Sequence, residues 1–547
     1  MRERRHYRCN DKDVVEQREE EEEETKEEHT YSSIKMMSLT QDQYRFLMAN
    51  LASLSLALPF KYVPKSLRNE FNYLPGVLMV YYCFGKQANT LILFSAISYA
   101  ICKFTPRQYV QSITLCTSLA FLSYTHLSRQ LLDYGGYVLD ISGPFMIAVQ
   151  KMTSLGFCLH DGARKLTEIK RHKSESISND QNKSDNNNNN GTKSSNSSDA
   201  SNNNNNNNEG DDDDEEELLD VALIQRNKSA SSDVIDAKKV REPHRNYDEL
   251  TEEQKKYAVI ETLTFSEFMG YFFHFPSVLC GPIMYFNDYQ DFVRSPENKP
   301  HPPGRYSAVA KKLMISATCV ILHLTLNPKF EVEFLRSPEF LVQTPFPIRF
   351  IYIVVFTMLS RLKYYVAWHL GEAISNASGL GFKGYDSNGK PRWNLISNMD
   401  LWKFETCLSL RDALHAWNKT TQNWLRRTAY ERVPRKLAVV STYILSAFWH
   451  GFYPGYYMTF LSGALFTYAS RDGRRVIRPF FQKGKVLPII YDVITFTLTR
   501  LTIAYVAFPF VILDFKNNYE IYKSLYFSIH VMGVVGILIG RIFNKKK

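Results

Sequence analysis

The sequence predicts an all-α polytopic membrane protein, and three observations carry that prediction. Apolar runs rich in Phe, Tyr, Leu and Ile recur at lengths near the ~20 residues a helix needs to cross a bilayer. The clearest are residues 88–104, 108–127, 313–327, 348–370, 487–513 and 524–543. Lys and Arg gather in the short connections between these runs, as they do in cytosolic loops of multi-span proteins. The remaining polarity is confined to two low-complexity stretches. Counting short and interrupted runs, ~8–11 spanning or re-entrant helices are expected.

The chain divides by composition. Residues 1–40 form a polar, acidic tail with an unbroken Glu19–Glu24 run. Residues 41–162 hold the first membrane helices, and residues 163–250 an insert with Asn186–Asn190, Asn202–Asn208, Asp211–Asp214 and Glu215–Glu217. Tail and insert have too little apolar surface to offset chain entropy and are expected to be disordered. Residues 251–543 are expected to form the larger membrane core, and residues 544–547 a basic end. The formal net charge over 547 residues is +10. Its distribution fits loops beside a lipid bilayer rather than a nucleic-acid footprint, so no nucleic-acid partner is expected. The eight cysteines (Cys9, Cys83, Cys102, Cys116, Cys158, Cys280, Cys319 and Cys407) lack metal-ligand spacing and read as small apolar residues, so no metal is expected. No cleavable signal segment is visible, and the first span is expected to direct insertion.

In chain order, residues 45–60 are a marginal span and residues 73–84 are too short to cross alone. Residues 137–160 carry Asp140, Gln150, Lys151 and His160 in an apolar context, which points them at a protein interior or a wet cavity. Arg164, Lys165, Lys170, Arg171, His172 and Lys173 then place the insert in the cytosol. Residues 257–286 are interrupted by His274, Pro276, Gly281 and Pro282, the pattern of a broken helix. Arg361 and Lys363 read as side chains snorkelling at a membrane boundary. Residues 379–410 have the Gly, Asn and Pro content of a structured loop. Arg541 with Lys545, Lys546 and Lys547 favours a cytosolic end and loosely resembles a dilysine retrieval signal.

Two segments carry chemistry. On a helix over residues 414–427, Trp417 and Trp424 would share a face, with Asn418 at its edge. Arg426, Arg427, Arg432, Arg435 and Lys436 follow; they suit anionic headgroups or a phosphate-bearing substrate such as coenzyme A. The apolar stretch from Leu437 to Ser470 has basic residues on both sides and Pro454-Gly455 inside it. A hairpin of short or re-entrant helices fits it, with a single tilted crossing as the alternative. His450 would stand ~20 Å along the first arm. An ionisable side chain at that depth is a functional-site hypothesis. The plainer reading is a buried histidine bonded to neighbouring backbone. His415, His274 and His369 read as surface or interfacial histidines.

At these residues the sequence resembles the membrane-bound O-acyltransferase (MBOAT) family, and within it the lysophospholipid acyltransferases. The resemblance runs through Trp417-Asn418, Trp424, Ser446 to Gly451 and Tyr453-Pro454-Gly455-Tyr456. It extends to Asp140–Pro144, Gln150-Lys151, His160-Asp161-Gly162, Lys363-Tyr364-Tyr365 and Gly379–Phe382, and covers most of residues 44–162 and 250–540. The wording of residues 360–470 is most similar to the lysophosphatidylethanolamine and lysophosphatidylserine acyltransferases. The resemblance implies helices around an internal tunnel and residence in the endoplasmic reticulum membrane. It also implies acyl transfer from acyl-CoA, as co-substrate with no bound cofactor, to a lysophospholipid hydroxyl. His450 and Asn418 would be catalytic, with Trp417, Trp424, Trp449, Tyr453, Arg426 and Arg427 as candidate substrate-binding residues. A neutral imidazole suits proton removal from a hydroxyl, and a carboxamide suits an oxyanion or hydroxyl orientation. A related acyltransferase for another acceptor (lysophosphatidylcholine, lysophosphatidylinositol, a neutral lipid or a protein) shares the His and Asn. A transporter or channel would leave the two motifs without a joint role.

Overall fold

A computed structural model defines residues 40–136, 139–188, 250–279, 281–296 and 302–544. Residues 1–39 of the expected tail, 189–249 of the expected insert and 545–547 lie outside them. The helices are α1 Gln41–Ala57, α2 Arg68–Phe84, α3 Ala88–Phe104, α4 Val110–Leu132, α5 Ser142–Asn188, α6 Glu252–Tyr257, α7 Phe265–Phe272 and α8 Phe286–Val293. They continue as α9 Arg305–Leu326, α10 Val332–Arg336, α11 Phe346–Ser378, α12 Leu401–Thr406, α13 Leu410–Ala416 and α14 Lys419–Leu425. The last are α15 Arg435–His450, α16 Pro454–Ile477, α17 Val486–Ile512, α18 Phe515–Ser524 and α19 Ser528–Asn544. Among the described residues the only strands are the two-residue β1 Gly384–Tyr385 and β2 Pro391–Arg392, paired antiparallel with Gly384 opposite Arg392. Asp386 accepts from the Asn388 and Lys390 amides to close that turn, so residues 379–410 do contain a structured loop.

The fold is that of an all-α polytopic membrane protein. Among the described residues, three helices are long and apolar enough to cross a bilayer: α9 with the turn after it (Arg305–Lys329), α11 and α17. Helices α18 and α19, bent by 73° at their junction, form a fourth candidate as a pair. Ile489 and Val493 of α17 are 64% and 62% exposed, an arrangement that a lipid face accounts for. Helices α1, α2 and α3 have 17 residues each. That is about 25 Å of helix, short of the ~30 Å hydrocarbon core.

Helix α5 behaves as its charged residues predict. Residues 148–159 are buried without interruption. Lys151, 1% exposed, donates to the carbonyls of Tyr271 and Phe272 and to the Ser277 hydroxyl at 3.0–3.2 Å. Those acceptors are the last carbonyls of α7 and a hydroxyl of the broken segment after it, whose non-helical backbone is buried in protein, where such backbone is tolerated. The helix does not stop at Gly162, where the sequence places the insert. It runs to Asn188, because Ala163, Arg164, Lys165, Leu166 and Glu168 are good helix formers. Tertiary contacts flank that boundary: Arg432 holds Asp161 just before it at 2.6 Å, and Lys255 reaches Glu168 beyond it at 3.8 Å.

The expectation for Arg361 is corrected. It does not snorkel: it meets Glu405 at 3.0 Å and Tyr365 at 3.1 Å, and Arg500 of α17 meets the same carboxylate at 3.0 Å. Two guanidinium groups from two spans thus share one carboxylate. Replacing Glu405 with Ala would leave both without their counter-charge. The expected loss is on the order of 3 kcal/mol, read as a lower melting temperature of the detergent-solubilised protein; an unchanged temperature would contradict the account.

Candidate active site

Helices α15 and α16 form the expected hairpin. Tyr443 on the first arm meets Thr467 on the second at 2.7 Å and also lies over Gly463. His450 is the last residue of α15. Gly451 follows with φ 120° and ψ −164°, a conformation open essentially to glycine. It turns the chain within three residues into α16, whose Gly455 sits against the backbone of Pro509 and Leu513 at the end of α17. The His450 ring is half-buried among aromatic rings. Phe460 stacks on it at 5.0 Å, Phe510 stands edge-on at 4.9 Å, and Trp449 and Tyr456 lie at 4.6 and 5.8 Å. Among the described residues no hydrogen-bond partner reaches its ring nitrogens, so the picture of a histidine bonded to backbone does not hold.

His126 does fit that picture. It is buried, and its Nε2 lies 3.0 Å from the Trp449 carbonyl oxygen. That oxygen is one of the carbonyls left over at the end of α15, so the imidazole N–H caps the helix that carries His450. The sequence reading passed over His126, although it too is an ionisable group inside an apolar run.

The Asn418 segment departs from expectation. Residues 414–427 are not one helix: α13 ends at Ala416, and Asn418 adopts a left-handed conformation with φ 42° and ψ 53° before α14 begins. Asn tolerates this backbone better than other residues with a Cβ. The break separates the tryptophans. Trp417 packs among Trp368, Phe404, Tyr365 and Tyr364 at 5.0–6.1 Å. Trp424 turns the other way, fully buried, and meets Trp449 at 5.7 Å. Among the described residues no hydrogen bond engages the Asn418 carboxamide.

Helix α5 joins both segments. The Trp449 indole donates to the Met146 carbonyl at 3.0 Å, and the Trp424 indole to the Thr153 hydroxyl at 2.8 Å. Between them, Gln150 donates to Thr421 at 2.8 Å. Positions 146, 150 and 153 follow the four-then-three spacing of one helix face. Tyr453 also ties the hairpin to the rest: its hydroxyl accepts from the Gly135 amide at 3.0 Å, and its ring meets Tyr134 and Tyr456.

The two candidate arginines differ. Arg427 is buried between the rings of Tyr257 and Tyr285, 4.5 Å from each, and donates to the Glu253 carbonyl at 2.6 Å. It braces the protein. Arg426 is exposed and pairs with Glu431 at 2.9 Å and Glu253 at 3.7 Å. His415 is exposed as expected, but His274 and His369 are buried at 0% and 2% exposure. His274 lies 3.0 Å from the Ser277 hydroxyl, and His369 3.4 Å from the Lys312 ammonium. The rings of Phe275 and Tyr289 pack against His274, whereas His369 is covered beside Lys312 where α11 packs on α9.

Within this membrane helix bundle, the hairpin that carries His450 meets the helix that follows Asn418 through Trp449 and Trp424. The sequence model of the MBOAT, membrane-bound O-acyltransferase family, matches residues 133–508, and the chain belongs to that family. It is similar to lysophospholipid acyltransferase 6 of Drosophila melanogaster, with 32% identity over 92% of this chain and 62% of the relative. It is also similar to membrane-bound glycerophospholipid O-acyltransferase 2 of Mus musculus, with 30% identity over 92% of this chain and 85% of the relative. A lysophospholipid acyltransferase of Schizosaccharomyces pombe is 32% identical over 53% of this chain and 61% of the relative.

Two substitutions test the geometry. Gly451→Ala forces a Cβ into a backbone region closed to it and to within 3.3 Å of the His126 ring. A loss of about 1–3 kcal/mol is expected, together with loss of acyl transfer. Thr153→Val removes the acceptor of a buried indole N–H and is expected to lose about 1–3 kcal/mol. Thermal melting and transfer assays check both.

Proposed function

We propose that the chain is an acyl-CoA-dependent lysophospholipid O-acyltransferase of phospholipid remodelling, the Lands cycle, in the endoplasmic reticulum membrane. The acceptor we assign is lysophosphatidylethanolamine or lysophosphatidylserine. The observation that carries the reading is the state of the two polar side chains. Among the described residues, no partner reaches the His450 ring nitrogens inside their aromatic enclosure, and none engages the Asn418 carboxamide on its left-handed turn. The relatives' names, which speak of lysophospholipids and glycerophospholipids, support the substrate class.

The reaction follows from these groups. The imidazole of His450 takes the proton of the free glycerol hydroxyl as its oxygen attacks the thioester carbonyl carbon. The carboxamide of Asn418 donates to the oxyanion that forms, or orients the attacking hydroxyl. When the tetrahedral intermediate collapses, the C–S bond breaks, the ester C–O bond remains, and the imidazolium returns its proton to the thiolate of coenzyme A. Transfer is direct. Cys407 lies against the Arg500 guanidinium and the Phe404 carbonyl, in surroundings that occupy its thiol. Trp417, Trp424, Trp449 and Tyr453 shape and hold the site. Arg426, the exposed arginine of the pair, suits a phosphate of the acyl donor, and Arg427 supports it from within.

The assay supplies labelled oleoyl-CoA and a panel of lysophospholipids to microsomes containing the full chain. His450→Ala is expected to abolish transfer at unchanged protein level, and Asn418→Ala to lower it by about 100-fold or more. Full activity of His450→Ala would remove the assignment. Flux of lipid without consumption of acyl-CoA would indicate a transporter.

A further inference from the structure

Asn418 is a residue with a Cβ held at φ 42°. Such a conformation persists only where the surroundings over-determine it. One other segment, residues 398–400, does so. On one side of the turn, the Asp400 amide donates to the Ala416 carbonyl at 3.0 Å. On the other, the Lys419 amide donates to the Asn398 carbonyl at 2.7 Å. The Asn398 side-chain oxygen accepts twice from Thr420, from the amide at 3.1 Å and from the hydroxyl at 2.7 Å. Residues 398–400 therefore run alongside 416–420 and grip the chain on both sides of Asn418.

Asn398 is itself anchored. Its amide donates to the Glu372 carboxylate at 2.7 Å, and the other oxygen of that carboxylate meets the Lys312 ammonium at 2.5 Å. Asn398 and Glu372 are each 2% exposed. A buried carboxylate needs its charge partner and its hydrogen bonds, and these two contacts satisfy it. Lys312 comes from α9, Glu372 from α11 and Asn398 from the loop between α11 and α12, so the turn is tied to two membrane spans.

We infer that Asn398 and Glu372 are positioning residues for acyl transfer, acting only through Asn418: the carboxylate aims Asn398, and Asn398 locks the left-handed turn that points the carboxamide at the reacting carbonyl. Neither touches substrate. The inference rests on the catalytic reading of Asn418. The physical reason for an effect is geometric, since a misplacement of about 1 Å at a reacting group lowers the rate by as much as ~100-fold.

The test is a double-mutant cycle on the full chain in detergent micelles, with kcat, KM and the melting temperature measured for each variant. Asn398→Ala is expected to lower kcat by about 10- to 100-fold with KM for acyl-CoA little changed. Glu372→Ala should behave likewise, whereas Glu372→Gln, which keeps an oxygen for the Asn398 amide, should recover most of the loss. In an Asn418→Ala background, Asn398→Ala should cause no further fall. Glu372→Ala strands Lys312; should it not fold, Thr420→Val, which removes only the hydroxyl bond, takes its place with a smaller expected fall in kcat. Full kcat in Asn398→Ala, or losses that multiply in the cycle, would overturn the inference. Retained activity in Asn418→Ala would instead overturn the catalytic reading on which it rests.

Discussion

Two buried indoles donating hydrogen bonds to one face of α5 hold the functional half of this protein together. Trp449 belongs to the hairpin that ends in His450, and Trp424 to the helix that begins after Asn418. Each would be a poor anchor alone, because an indole N–H buried without an acceptor is costly. Met146 and Thr153 supply acceptors at the spacing of a single helix stripe, with Gln150 bonded to Thr421 between them. The stripe therefore sets the relative position of two segments that lie far from it and apart from each other in the sequence. It also explains why residues 148–159 of α5 are buried without interruption while carrying Gln, Lys and Thr: their polar atoms join the parts, and their apolar atoms fill the space.

The polar groups of the protein interior follow the same logic. Lys151 saturates its ammonium on the end of α7 and the broken segment that follows. Arg361 and Arg500 converge on Glu405. Lys312 and Glu372 pair beneath the Asn418 turn. Inside a membrane protein an unpaired charge is expensive, so these groups occur as closed sets. His450 and Asn418 stand apart from the sets: they sit on strained or glycine-dependent turns, and among the described residues no hydrogen-bond partner engages their side chains. Backbone strain and unsatisfied polar groups gather where a reacting molecule would supply the missing partners.

Much of this was legible in the sequence. The apolar runs predict the membrane class, the charged residues within 137–160 predict an interior helix, and Pro454-Gly455 predicts a hairpin with His450 beside its turn. Failures arose where a side chain's partner lies far away in the chain. Arg361 read as a snorkelling residue because Glu405 and Arg500 are invisible as neighbours. His369 read as interfacial because its burial depends on packing between α9 and α11. The single helix expected over 414–427 failed because periodicity cannot register one left-handed residue.

By itself the sequence determined what periodicity and local chemistry can encode: helices, their breaks at Pro and Gly, the membrane as solvent, and the residue types able to move a proton and hold an oxyanion. Tertiary structure alone decided which charges pair, which histidine is bonded and which is not, and that Trp417 and Trp424 face opposite ways. The reason is that burial and pairing are properties of distance in space. In a helical membrane bundle, pairs such as α5 with α15 and α9 with α11 are joined by polar contacts that no local pattern announces.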